Sequence, residues 1–213
     1  KYRKAIMGFA ALWILAMHEW RLLIPYGESF WEREVFLKDI GFCGVDIFLL
    51  LSGIGLTYAI KKSGVGRFYF GRIKRILFPY LAVAVIVGVS YGWSAREFLA
   101  NVSGYNFYFK SIYSFMWFVP AILTLYLVFP LYWAIFSRAK NKTVFTLTVL
   151  VIWLLVSMVL RDRLRGDMYG FTNRIPVFLV GVLYGWLCQN NRMRESRGLW
   201  ALTALTLLLG LYL

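Results

Sequence analysis

Long apolar runs alternate with short basic stretches along the whole chain. The runs lie roughly at residues 5–23, 41–60, 76–93, 114–136, 143–160, 174–189 and from 199 onward. A helix rising about 1.5 Å per residue needs about 20 residues to cross the hydrocarbon of a bilayer, so the pattern predicts about seven crossings. The sixth run is short and opens with Pro176, a good first-turn residue because a first-turn N–H has no helical partner to lose. Pro120 and Pro130 fall inside the fourth run and predict kinks there. Gly181-x-x-x-Gly185 predicts a face along which another helix approaches closely.

Composition turns this pattern into a class. Hydrophobic residues make up 61% of the chain, charged residues only 16%, and the mean hydropathy is +0.65. That excludes a soluble domain and predicts an all-α, polytopic membrane protein. Nine Trp and fourteen Tyr suit the membrane–water interface, where one end of the ring is dry and the other wet. The net charge of +14 would fit a nucleic-acid partner if it formed one face, but the basic residues sit between apolar runs. Loops held at an anionic cytoplasmic leaflet have that pattern, and the Lys and Arg bias puts the N-terminus inside. Arg161, Arg163 and Arg165 run against the bias. This topology places Cys43 and Cys188 at opposite faces, unable to pair. One His among scattered carboxylates offers no metal site. The chain starts at Lys1 without a Met and ends inside an apolar run, and reads as a single transmembrane domain over 1–213, incomplete at its C-terminal end.

Polar groups inside apolar runs carry the candidate chemistry, because an intramembrane charge is expensive and normally has a partner or a wet cavity. His18, the single histidine, lies about 13 residues from the inner end of the first helix, or roughly 20 Å up. Asp46 lies about 14 residues from the inner end of the second, or roughly 21 Å up. A shared depth predicts that Asp46 orients His18 and makes its free nitrogen a better base; a structural bridge between two helices is the alternative. Glu19 points about 100° away around the helix and is a poorer orienter. Ser52 and Gly53 lie in a Ser-Gly-x-Gly stretch whose smooth groove suits either a thin ligand or a packed helix. Arg72 and Arg75, one helical turn apart, form a potential anion site, with Phe68 and Tyr69 as a stacking surface for a base; ordinary basic flanking and an aromatic belt are the alternative. Arg174, with Asn173, stands at the outer mouth of the sixth run as an acceptor or oxyanion ligand, or as an interfacial anchor.

The stretches "GVDIFLLLSGIGL", "RFYFGRIKRILFPY", "MWFVPAILTLYLVFPLY" and "NRIPVFLVGVLYG", in that order after a first-helix His, resemble the acyltransferase family 3 membrane enzymes over nearly the whole chain. The resemblance implies about seven of some ten helices, and transfer of an acyl group, often acetyl, from cytoplasmic acyl-CoA to a hydroxyl of an extracytoplasmic carbohydrate or glycolipid. It implies His18 as the essential histidine, Arg72 and Arg75 as the Arg-x-x-Arg motif of the acyl-CoA side, and Ser52-Gly53 as the Ser-Gly motif. Ile54 stands where the family commonly has Phe, which leaves acyl preference open. The implied partners are acyl-CoA (acetyl-CoA foremost), the acceptor and the bilayer of a bacterial cytoplasmic membrane, with no nucleic acid and no metal. The competing reading is a transporter or flippase for a lipid-linked or anionic solute, which also needs buried charge, kinked helices and basic loops.

Overall fold

The computed structural model describes residues 3–23, 40–62, 64–110, 114–164 and 166–191, the side chains of residues 19–23 and 40 excepted. Among the described residues all regular structure is helical. Helix α1 spans Arg3–Leu23 and a 3₁₀ turn spans Ile40–Phe42. Then follow α2 (Cys43–Lys62), α3 (Val65–Ser90), α4 (Ala95–Val102), α5 (Tyr105–Phe109), α6 (Phe118–Arg138), α7 (Lys142–Leu160) and α8 (Gly166–Gln189). Five of these, α2, α3, α6, α7 and α8, are long and apolar enough to cross a membrane. The α1 helix has the length, at 21 residues, but carries His18, Glu19 and Arg21 near its end. The run expected from 199 lies outside the described residues. The protein is an all-α polytopic membrane protein.

Helices α2, α6 and α8 build the core. Leu49, Leu56, Phe129, Phe178 and Val182 are all buried in one cluster with Phe68 of α3 and Phe107 of α5. The outward faces of α3 and α7 stay apolar: Ile86, Val89, Leu155 and Val159 are all more than half exposed. In a bilayer those side chains meet lipid, which costs nothing in hydration.

Glycines set the closest contact. A Cβ added at Gly53 would fall 2.4 Å from the carbonyl oxygen of Phe178, and one at Gly181 would fall 2.3 Å from that of Leu50. A Cβ at Gly185 would fall 3.0 Å from the Cα of Ile54. Leu50 meets Gly181 and Ile54 meets Gly185, so α2 and α8 run parallel with backbone against backbone. The Gly181-x-x-x-Gly185 expectation is met, and its partner is the Gly53 face of α2.

Two proline expectations change. Helix α8 begins ten residues before Pro176, so that proline sits inside it and not in its first turn. The carbonyl of Thr172, which an amide at position 176 would have bonded, accepts the indole N–H of Trp153 from α7 at 2.9 Å. Helix α6 begins at Phe118, so Pro120 falls in its first turn and only Pro130 lies within the helix.

Candidate active site

The chain folds around the turn at Ile40–Phe42. Helix α1 reaches it from one side: a Cβ at Gly41 would lie 2.6 Å from the Cβ of Met17. The same pair of helices meets lower down, where a Cβ at Gly55 would lie 2.8 Å from Nη2 of Arg3. Helices α1 and α2 are therefore antiparallel neighbours, with His18 level with the turn. From the other side comes Arg174 of α8, whose Cζ lies over the Phe42 ring, 5.4 Å from its centroid.

Arg174 is held on several sides. Its Nε stands 3.3 Å from Oδ1 of Asp46, and the two side chains are 19% and 18% exposed. Its Nη1 donates to the carbonyl oxygen of Gly170 at 2.7 Å, one turn back on its own helix. Trp117 covers it too, with Cζ 5.9 Å from that ring. Met116, the residue before Trp117, has a φ of 46°. A non-glycine residue in that left-handed region is uncommon. Asn173 is half-buried beside Arg174.

Asp46 thus pairs with Arg174, and the expected His18–Asp46 couple is not formed. The expectation assumed that α1 and α2 have flush inner ends. They are offset, because Arg3 sits beside Gly55 and not beside Lys62. The register puts Asp46 level with Leu12, so His18 lies about 9 Å farther along the axis. Its side chain is exposed.

The expected donor site is also rearranged. Phe68 is 2% exposed and stacks on Phe129 at 5.7 Å, so its ring is core and offers no face to a nucleotide base. Tyr69 donates its hydroxyl to the carbonyl oxygen of Leu127 at 2.8 Å and is half-buried. Arg72 is half-buried with Cζ over the Tyr126 ring of α6, 5.8 Å from its centroid, while Arg75 is exposed. Among the described residues, neither arginine is paired with a carboxylate. Tyr126 lies nine residues along α6 from Trp117, an axial distance of about 14 Å. The arginine motif therefore stands nearer the middle of the bundle than its edge. Ser52 is half-buried, and Gly53 lies against α8, so the smooth face of α2 holds a helix there and no open groove.

Several contributors escape a reading of the sequence. Phe42 and Trp117 read as generic interface aromatics. Asp167 is 7% exposed and accepts from both the backbone N–H and the hydroxyl of Ser114, tying the start of α8 to the approach to α6. The apolar run from 174 leaves Asp167 outside any predicted helix, whereas the helix begins at Gly166 and carries Asp167 in its first turn.

Residues 5–213 match the family described as an acyltransferase domain. Comparison with curated proteins and with solved structures gives no match. The family match covers nearly the whole chain, including both helix pairs that meet at the Ile40–Phe42 turn, and the chain belongs to acyltransferase family 3, a family of membrane acyltransferases.

Proposed function

We propose that the protein transfers an acyl group, acetyl foremost, from acyl-CoA on the cytoplasmic side to a hydroxyl of an extracytoplasmic carbohydrate or glycolipid, in a bacterial cytoplasmic membrane. One observation carries this reading. Helix α1, which carries His18, and Arg174 of α8 both reach the Ile40–Phe42 turn, while Arg72, with no carboxylate partner among the described residues, lies over Tyr126 about 14 Å down the bundle. A polyanionic donor needs cations that are not already neutralised, and among the described residues Arg72 and Arg75 meet that condition. Its neutral arm then extends toward the turn. Since Gly53 faces α8, the arm passes the Ser52 side of α2.

In the transfer, His18 takes the proton of the acceptor hydroxyl. The alkoxide oxygen bonds to the thioester carbonyl carbon, and the negative charge on the carbonyl oxygen is met by N–H donors of Arg174. Collapse breaks the C–S bond, and the leaving thiolate receives the proton from the imidazolium. The competing route forms an acyl-imidazole on His18 first.

Rapid quenching of the purified protein with radiolabelled acetyl-CoA separates the routes. Direct transfer predicts label in the acceptor with none on the protein; label trapped on His18 overturns it. Solute flux in liposomes without any acyl transfer would overturn the enzyme reading itself.

A further inference from the structure

We infer that Asp46 and Arg174 together form the acceptor subsite and select a neutral, polyhydroxylated acceptor over one carrying a carboxylate or phosphate. The inference rests on the proposed transfer and adds the substrate class.

The argument starts from what the pair leaves unsatisfied. The contact between Nε of Arg174 and Oδ1 of Asp46 is close, at 3.3 Å, but it is a charge contact without an aligned hydrogen bond. Oδ1 of Asp46 is buried, and among the described residues no donor is aligned on it. A guanidinium carries N–H donors along two edges, and Gly170 takes only one of them. Oδ1 is closed off and faces the guanidinium, so an acceptor hydroxyl meets the partly exposed remainder of the Asp46 carboxylate beside the spare guanidinium donors. A sugar hydroxyl is both donor and acceptor, so adjacent hydroxyls can give to Asp46 and receive from Arg174 at once.

Charge decides the class. An arginine alone in a low-dielectric site attracts anions strongly. Here the Asp46 carboxylate already neutralises it, and Phe42 and Trp117 lie against the guanidinium. An anionic acceptor would meet a carboxylate beside its arginine, with little net attraction to offset its desolvation. A neutral polyol meets matched donors and acceptors with no such cost. Side chains that are less than a fifth exposed exclude most water while leaving an approach. In this role Asp46 and Arg174 both touch the acceptor, and Asp46 also fixes the guanidinium.

The test is a specificity ratio, which general loss of stability does not move. The purified full-length protein is given radiolabelled acetyl-CoA with methyl glucoside or methyl glucuronide. The unaltered protein is expected to favour the glucoside. Asp46→Asn leaves the guanidinium unneutralised and should shift the ratio toward the glucuronide by about tenfold or more, while Asp46→Glu keeps the original preference. A wild-type preference for the glucuronide overturns the inference, as does an active Asp46→Asn protein with an unchanged ratio. Should Asp46→Asn fail to fold, Arg174→Gln combined with Asp46→Asn removes both charges, and equilibrium binding, which needs no oxyanion donor, must still favour the glucoside; its reversal overturns the inference. Absence of transfer to either glycoside, with acetyl-CoA bound, would instead overturn the proposed transfer on which the inference rests.

Discussion

Replacing Gly181 by alanine tests the glycine contact that sets the site. The new Cβ falls 2.3 Å from the carbonyl oxygen of Leu50 and 3.1 Å from its Cα. Ordinary contact begins at 3.4 Å, so the two helices must part by about 1 Å. The obstacle is helical backbone, which cannot rotate away as a side chain would. Overpacking of this kind costs about 1–3 kcal/mol, and the rigid obstacle puts it at the upper end. Alanine regains about 1 kcal/mol of helix propensity, which leaves a net loss of about 2 kcal/mol. For a chain of this size that corresponds to a fall in Tm of roughly 4–8 °C. The separation also reaches the site, because α2 carries Asp46 and α8 carries Arg174, only 3.3 Å apart. Acyl transfer should fall along with thermal stability in detergent. Gly8→Ala is the control: nothing lies within 4 Å of its added Cβ, so it should be neutral or slightly stabilising. A Gly181→Ala protein as stable and active as the Gly8→Ala protein would refute the packing argument.

Gly41→Ala pushes on the Met17 side chain and so on the end of α1 that carries His18; kcat should drop while acyl-CoA binding, followed by titration, stays unchanged. Trp153→Phe removes the donor to the Thr172 carbonyl that Pro176 leaves free and should cost about 1–2 kcal/mol. With Pro176→Ala in place the backbone supplies that donor, so a double-mutant cycle should show the cost of Trp153→Phe shrinking. Glu97 caps α4 by accepting from the backbone N–H and hydroxyl of Ser94, and these bonds hold its carboxyl below the usual carboxylate range. A depressed folded-state pKa means the cap contributes fully above the unfolded pKa and is lost as pH falls through the folded one. Protection of the α4 amides, corrected for the intrinsic pH dependence of exchange, should therefore fall on acidification below the ordinary carboxylate pKa, and Glu97→Gln should remove the dependence.

What the sequence made legible follows its physics. Apolar runs located the helices because hydrocarbon demands about 20 apolar residues of any crossing element. The Gly-x-x-x-Gly spacing announced a close helix contact because only glycine permits it. Azimuth and axial offset were not legible, and they decide which polar groups meet. Asp46 faces Arg174, one on α2 and one on α8, because these helices run parallel through their glycines. Depth counted from helix ends failed for His18 because those ends are not flush. Phe68 looked available beside basic residues, yet aromatic stacking on Phe129 takes it into the core. Pro176 looked like a start because proline inside a helix loses a hydrogen bond; Trp153 of α7 supplies the donor that Pro176 withholds from the Thr172 carbonyl.

The division of labour along the bundle is tested most directly by measuring acyl-CoA binding and acyl transfer together in His18→Ala and Arg72→Ala proteins. The account predicts that the first binds donor with an unchanged Kd and transfers nothing, while the second loses donor affinity. Wild-type transfer by the His18→Ala protein, or undiminished donor binding by the Arg72→Ala protein, would contradict it.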